Sequence, residues 1–250
     1  MNNTFKFNFN KQYQFSKILS GFSFNIHLIE LKQRIQYLIG FFLIIFFLAF
    51  YEVKVIVQIL ESPVNNIKFF QLSPGEYFIE TVKIAFYSAL IIISPFFLMQ
   101  LSLFISPGLT CKEKKLIFPL TIVSVILVFL SLEFAYFCLI PAALNFFILY
   151  SSEVIEPLWS FSEYCDFVLL LFFTTAIIFQ VPIFQIILGI FGFVSGTKMI
   201  KLWKYIFLSS VIIGAILTPS TDPITQLLLS GAIIILYFLG AGVLILIKGS

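Results

Sequence analysis

Uncharged and mostly apolar runs alternate with short charged segments along the whole chain. A helix needs roughly 17 to 25 residues to cross about 30 Å of hydrocarbon, and each run is near or above this length without the alternation of a membrane β-barrel. The pattern predicts six transmembrane helices, and the fifth, confined between Lys204 and Asp222, is predicted to be short. The runs cover residues 35–51, 84–109, 116–132 (continuing beyond Glu133 to 152), 167–197, 205–221 and 223–247.

The composition fits a membrane protein. Of 250 residues, 60% are hydrophobic and 11% are charged, and the mean hydropathy is +1.08. Such a chain has too little polar surface for a soluble globule. We therefore predict an all-α polytopic membrane protein in which residues 25–250 form one six-helix domain after a polar N-terminal extension at 1–24.

The charges are divided unequally between the two predicted faces. Six spans bring both termini to one side, and this side receives the cations before span one, between spans two and three, between spans four and five, and at the C-terminus. The opposite face has Lys54, Lys68 and Lys83 among a majority of acidic residues. By the positive-inside rule, both termini lie on the cytoplasmic or stromal side.

Two acidic residues on this positive face, Glu30 and Glu113, stand at the mouths of spans. One interpretation is local pairing, because Glu30 precedes Arg34 by four residues and Glu113 lies between Lys112 and Lys114. The other is that the two carboxylates receive a cationic ligand. A planar guanidinium suits that role best, since it donates two parallel hydrogen bonds to a carboxylate.

Five separated motifs resemble the TatC family, the multispanning receptor of the twin-arginine protein translocase. They are HLIELKQR at 27–34, SPFFLMQLSLFISPGLTCKEKKLIFPL at 94–120, FAYFCLIPAALNFF at 134–147, FQVP at 179–182 and TPSTDPITQ at 218–226. The resemblance covers roughly residues 25–247. It implies a receptor core that binds twin-arginine signal peptides. With TatA-type and TatB-type subunits and further copies of itself, such a core moves folded proteins by means of the proton-motive force.

The resemblance also implies a signal-peptide site. Glu30 and Glu113 match the acids that receive the paired arginines. Arg34 matches a basic residue that orients Glu30. Lys32 stands where the family more often has arginine, and lysine keeps the charge but lacks the fork of donors. A further group, after span two, is expected to shape the peptide groove: Phe104, Pro107 and Leu109.

Other positions are assigned structural or partner-contact roles: Pro95, Gln180, Pro182, Pro219 and Asp222. Pro95 is expected to bend or locally open span two, because proline removes a helical hydrogen bond. Gln180 stands where many bacterial relatives have glutamate, and its amide can hydrogen-bond a neighbouring helix. Asp222 either contacts a partner or caps the start of span six.

Span three contains an acidic residue, Glu133, and is followed by a long segment. An acid in hydrocarbon favours a functional role, but we interpret Glu133 as a position without function that lies towards the far interface. The long segment 139–166 is predicted to begin with a helix lying at that interface.

The sequence lacks the signatures of other functional classes. No GxxxxGK[ST] loop occurs, His27 is the single histidine, and the three cysteines are isolated. We predict no enzymatic activity, no cofactor, no metal and no nucleic-acid partner. A small-molecule or proton-coupled transporter is the alternative function and would require an intramembrane charge pair or paired broken helices. A purely structural subunit would tolerate changes at Glu30 and Glu113.

The cation usage bears on location. Fourteen lysines against one arginine, with abundant Phe, Ile and Asn, are the bias of an AT-rich genome. The N-terminal segment lacks an arginine-rich transit pattern, and the FQVP and TPSTDPITQ motifs resemble the cyanobacterial and plastid branch. We predict a plastid thylakoid membrane, with a bacterial plasma membrane or a mitochondrial inner membrane as alternatives.

Overall fold

The computed structural model describes residues 4–63, 69–105, 114–151, 159–218 and 222–248, with side chains from Leu28 onward. Two short strands, β1 (Phe69–Phe70) and β2 (Trp159–Ser160), pair in parallel. The contacts divide the chain into two compact units, Met1–Gly40 and Phe41–Ser250. The α-helices are α1 (Thr4–Tyr51), α2 (Val53–Glu61), α3 (Glu76–Ile105), α4 (Ile117–Phe134), α5 (Ile140–Ser151), α6 (Phe161–Phe179), α7 (Val181–Ile190), α8 (Gly196–Lys201), α9 (Trp203–Leu217) and α10 (Pro223–Lys248).

Six apolar helical segments correspond to the six predicted spans. The fifth, α9, has only 15 residues and is about 22 Å long, as its confinement between charges predicts. The boundary that we predict after residue 24 falls inside α1. The other five segments are long enough to cross a membrane: Leu28–Tyr51, Glu76–Phe104, Ile117–Tyr150, Phe161–Ile190 and Pro223–Ile247.

Spans two and four begin earlier than their apolar runs predict, at Glu76 and Phe161. The difference arises because Glu80, Lys83 and Asp166, which precede the two apolar runs, are paired with one another and do not end the helices. A helix follows Leu139, as the sequence predicts, but it is joined to span three and not separate from it; its place at the interface stays a prediction. A π-helical turn, Ala135–Leu139, joins α4 to α5, so this segment continues the helix of span three to Tyr150.

Pro95 lies inside α3, and the helix continues on both sides of it. Proline has no N–H to donate to the carbonyl four residues earlier, which is that of Ile91. The hydroxyl of Ser94 donates to this carbonyl at 2.8 Å. A neighbouring side chain therefore satisfies the acceptor that Pro95 leaves open.

Span four is the most buried of the five long spans: 67% of its most apolar stretch is buried, against 39% or less for the others. Its α6 half packs against α3 and α4, and its α7 half packs against α10, which also contacts α9. At the end of α7, Gly192 adopts a φ of 80°, and the N–H of Phe193 donates to the carbonyl of Leu188 at 3.1 Å. This left-handed glycine ends the helix.

Candidate functional site

Glu30 and Arg34 form an ion pair on the first span, within the unit Met1–Gly40. The guanidinium donates to one carboxylate oxygen, Oε1, from Nη2 at 2.6 Å and from Nε at 3.1 Å. The side chains of Arg34 and Glu30 are 21% and 30% exposed. The local pair that the spacing predicts is therefore present, and the Glu30 carboxylate remains partly accessible.

The remaining residues of the predicted peptide site are only partly covered by the structure. Lys32 is exposed on α1, and Phe104 is half-buried near the end of α3. Lys114 and Lys115 are exposed immediately before α4. The predicted residues Pro107, Leu109 and Glu113, together with Pro219, lie outside the described residues.

Gln180 joins spans four and three inside the bundle. Its amide Nε2 donates to the carbonyl of Ser124 at 3.1 Å, and its Oε1 accepts from the Ser124 hydroxyl at 2.5 Å. Both residues are buried. Pro182 lies in the first turn of α7, directly after the junction at Gln180. The helix-to-helix hydrogen bond that we predict for Gln180 is thus present, and its partner is within the chain.

Asp222 is 1% exposed and precedes the first residue of α10. Its Oδ2 accepts from the backbone N–H of Thr225 at 2.8 Å and from the Thr225 hydroxyl at 2.5 Å. This contact is the helix cap, one of the two roles that the sequence leaves open for Asp222, and it satisfies one of the N–H groups left open at a helix start.

A carboxylate that the sequence does not single out, Glu76, ties three segments together at the start of α3. Its Oε2 accepts from the N–H groups of Leu72 and Ser73, at 2.6 and 3.2 Å. Its Oε1 accepts from the Ser160 hydroxyl at 3.2 Å and from the Ser162 N–H at 3.1 Å. Glu76 therefore fixes the β2 strand and the first turn of α6 against α3.

One turn further along α3, Glu80 and Lys83 continue this network towards α6. The Lys83 ammonium donates to Glu80 at 3.0 Å and to both oxygens of Asp166 at 2.7 and 3.0 Å. Glu80 is 1% exposed and also accepts from the Ser162 hydroxyl. The spacing of Glu80 and Lys83 predicts a local pair, but no sequence signal connects this pair to Asp166, which lies 83 positions after Lys83.

The fold and these polar contacts define a class, that of polytopic helical membrane proteins whose spans are joined by buried hydrogen bonds. Within the described ranges no group of three or more His, Cys, Asp or Glu side chains is placed to hold a metal ion. A family model described as Sec-independent protein translocase protein (TatC) matches residues 26–231. The chain therefore belongs to the TatC family and is a subunit of a protein-transport machine.

Individual relatives agree with this assignment. The TatC-like protein ycf43 of Trieres chinensis is 57% identical over 225 residues, which are 90% of this chain and 86% of the relative. The chloroplastic Sec-independent protein translocase protein TATC of Pisum sativum is 45% identical over 190 residues, or 75% of this chain and 54% of its own. The chain is a multi-pass membrane protein, and a thylakoid location agrees with this chloroplastic relative.

A solved structure supports the same fold. The crystal structure of the twin-arginine translocase receptor TatC in DDM superposes with a TM-score of 0.77 at 32% identity. The match covers 87% of this chain and 99% of that chain. The sequence resemblance and the six-helix prediction are therefore confirmed.

Proposed function

We propose that this chain is the receptor subunit of a twin-arginine translocase and that it binds the paired arginines of signal peptides at Glu30 and Glu113. The observation that supports Glu30 most directly is the state of its carboxylate, which is partly exposed and held by Arg34 at the start of the first span. A carboxylate held in one orientation can receive an incoming guanidinium with little loss of side-chain freedom.

Arg34 has a positioning role in this proposal. Its Nη2 and Nε both donate to Oε1 of Glu30, so the guanidinium holds the carboxylate in place. A signal-peptide arginine approaches the exposed part of the same group. Charge-assisted hydrogen bonds of this kind are stronger than neutral ones, and a lysine cannot reproduce their fork geometry.

Cations and apolar side chains complete the proposed surface. Phe104, at the end of α3, and the segment with Pro107 and Leu109 provide apolar contacts for the hydrophobic part of the signal peptide. Lys32 keeps the surface near Glu30 basic, so binding depends on the specific acids and not on general attraction. Translocation itself uses the proton-motive force and single-span TatA-type and TatB-type subunits, as the resemblance to the TatC family implies.

Photocrosslinking in membranes tests this function. Probes are placed at Gln33, which is exposed beside Glu30, and at Lys114, which is exposed and follows Glu113. A third probe at Tyr150, exposed near the end of α5, serves as the control position. We expect a twin-arginine signal peptide to crosslink to the first two probes, and the yield to fall about tenfold when its arginines are replaced by lysines.

The acids are then changed one at a time. Glu30→Gln and Glu113→Gln should each lower the crosslink yield, whereas Glu163→Gln, a change of an exposed acid on α6, should leave it unchanged. Collapsing the proton gradient with an ionophore should stop transport but leave the crosslinks in place. Equal crosslinking of the arginine and lysine peptides in all variants would overturn the proposal and favour local pairing alone.

A further inference from the structure

A cleft of about 380 Å³ opens between α2, α3, α4 and α6. Ile56, Ile92, Phe137 and Leu169 are among the residues that line it, and nearly all of its walls are apolar. Ile92 and Phe137 are 53% and 70% exposed. Open apolar walls of this kind are suited to contact with another apolar element.

Among the described residues that line this cleft, one has a charged side chain, Glu133 in α4. Glu133 lies near the middle of the continuous helix Ile117–Tyr150, about 24 Å along the helix from Ile117. Its side chain is exposed, and it forms no hydrogen bond or ion pair with any other residue in the described part of the chain. Because a carboxylate among apolar walls is unfavourable without a donor, our interpretation of Glu133 as a position without function is revised.

The backbone beside Glu133 departs from regular α-helix. Ala135–Leu139 form the π-helical turn, a geometry frequent at functional sites. Tyr136 and Phe137 of this turn both line the cleft. The Tyr136 hydroxyl also forms a hydrogen bond with the hydroxyl of Ser62, at the end of α2, so the turn and α2 hold the wall of the cleft in place together.

We propose that the Glu133 cleft binds a transmembrane helix of a partner subunit and that this helix presents one hydrogen-bond donor, an amide, hydroxyl or ammonium group, to the Glu133 carboxylate. A volume of about 380 Å³ accommodates a few side chains from one face of a helix. An acyl chain or an uninterrupted apolar segment would cover the walls but leave the carboxylate without a donor. Polar side chains between helices are a recognised source of association in membranes.

This proposal is independent of the signal-peptide site because it uses none of the residues assigned there. Its test uses the full chain in phosphatidylcholine vesicles with a donor dye on Cys138, which is exposed next to Phe137. Cys165 is buried, and Cys111 is changed to serine in all samples. The probes are two synthetic Leu/Ala helices of about 23 residues that carry an acceptor dye, one with a central glutamine and the other with leucine at that position.

Energy transfer should show that the glutamine helix binds roughly three- to tenfold more tightly than the leucine helix. Glu133→Leu should abolish this preference, and Glu163→Leu, a change of an exposed acid that does not line the cleft, should preserve it. Ile92→Trp should weaken both helices by filling the cleft, which keeps the test decisive if Glu133→Leu fails to fold. Equal binding of the two helices, a preference that persists in Glu133→Leu, or no binding of either helix would overturn the proposal.

Discussion

Two ion-paired regions of this molecule differ in how they are built. Glu30 and Arg34 lie on one helix, four residues apart, and both side chains are partly exposed. Glu80, Lys83 and Asp166 join α3 to α6, and Glu80 is almost fully buried. Exposed pairs contribute little to stability, whereas breaking a buried pair is costly. We therefore expect the first region to serve binding and the second to hold the fold.

The largest expected effect is that of Lys83→Met. Among the described residues, this change leaves Glu80 with the Ser162 hydroxyl as its partner, and it removes the cation that Glu80 and Asp166 share. We expect the free energy of unfolding to fall by about 3 kcal/mol. This is at the low end of the usual cost of breaking a buried ion pair, because Lys83 is itself 35% exposed.

Thermal unfolding in detergent, followed by circular dichroism, measures this loss. Lys201→Met removes an exposed lysine on α8 and is the matched control. Equal destabilisation by the two changes would remove the distinction between the two regions.

Gly240→Ala tests a tertiary contact that involves no charged side chain, the packing of α10 on α7. An added Cβ would lie 2.1 Å from Oε1 of Gln185 and 2.9 Å from Cα of Pro182. Because the second atom belongs to the backbone of α7, we expect a loss of about 2 kcal/mol. Gly242→Ala meets nothing within 4 Å, and the same unfolding measurement should show it to be neutral or slightly stabilising.

Gln180→Leu should have a smaller effect, about 1 kcal/mol, because it removes the two hydrogen bonds to Ser124. A double-mutant cycle with Ser124→Ala measures the coupling between the two side chains. The double variant should be more stable than the sum of the single losses predicts. Strict additivity would show that Gln180 acts through packing alone.

Arg34→Gln should have the smallest effect on stability, below about 0.5 kcal/mol, because the pair is local and partly exposed. The same variant should lower crosslinking of the twin-arginine peptide beside Glu30, and Arg34→Lys should restore it only in part, since the ammonium lacks the fork of donors. A loss of stability without a loss of crosslinking would reverse the roles assigned to the two regions.

The sequence by itself determined the membrane class, the six spans, the short fifth span and the family. These features depend on runs of apolar residues and on motifs contiguous in the chain, so each can be read without knowledge of distant contacts. The Glu30–Arg34 pair and the Asp222 cap belong to the same category, because their partners lie three or four residues away.

Only the tertiary structure decided which elements contact one another. The link from Lys83 to Asp166, the Gln180–Ser124 contact and the setting of Glu133 join residues far apart in sequence. The π-helical turn likewise makes span three continuous as far as Tyr150, whereas the sequence indicated a separate helix after Leu139. Apolar patterning specifies that a helix is buried in membrane or protein, but it does not specify its neighbour, because many helix faces are equally apolar. The neighbours are selected by the packing of the whole bundle.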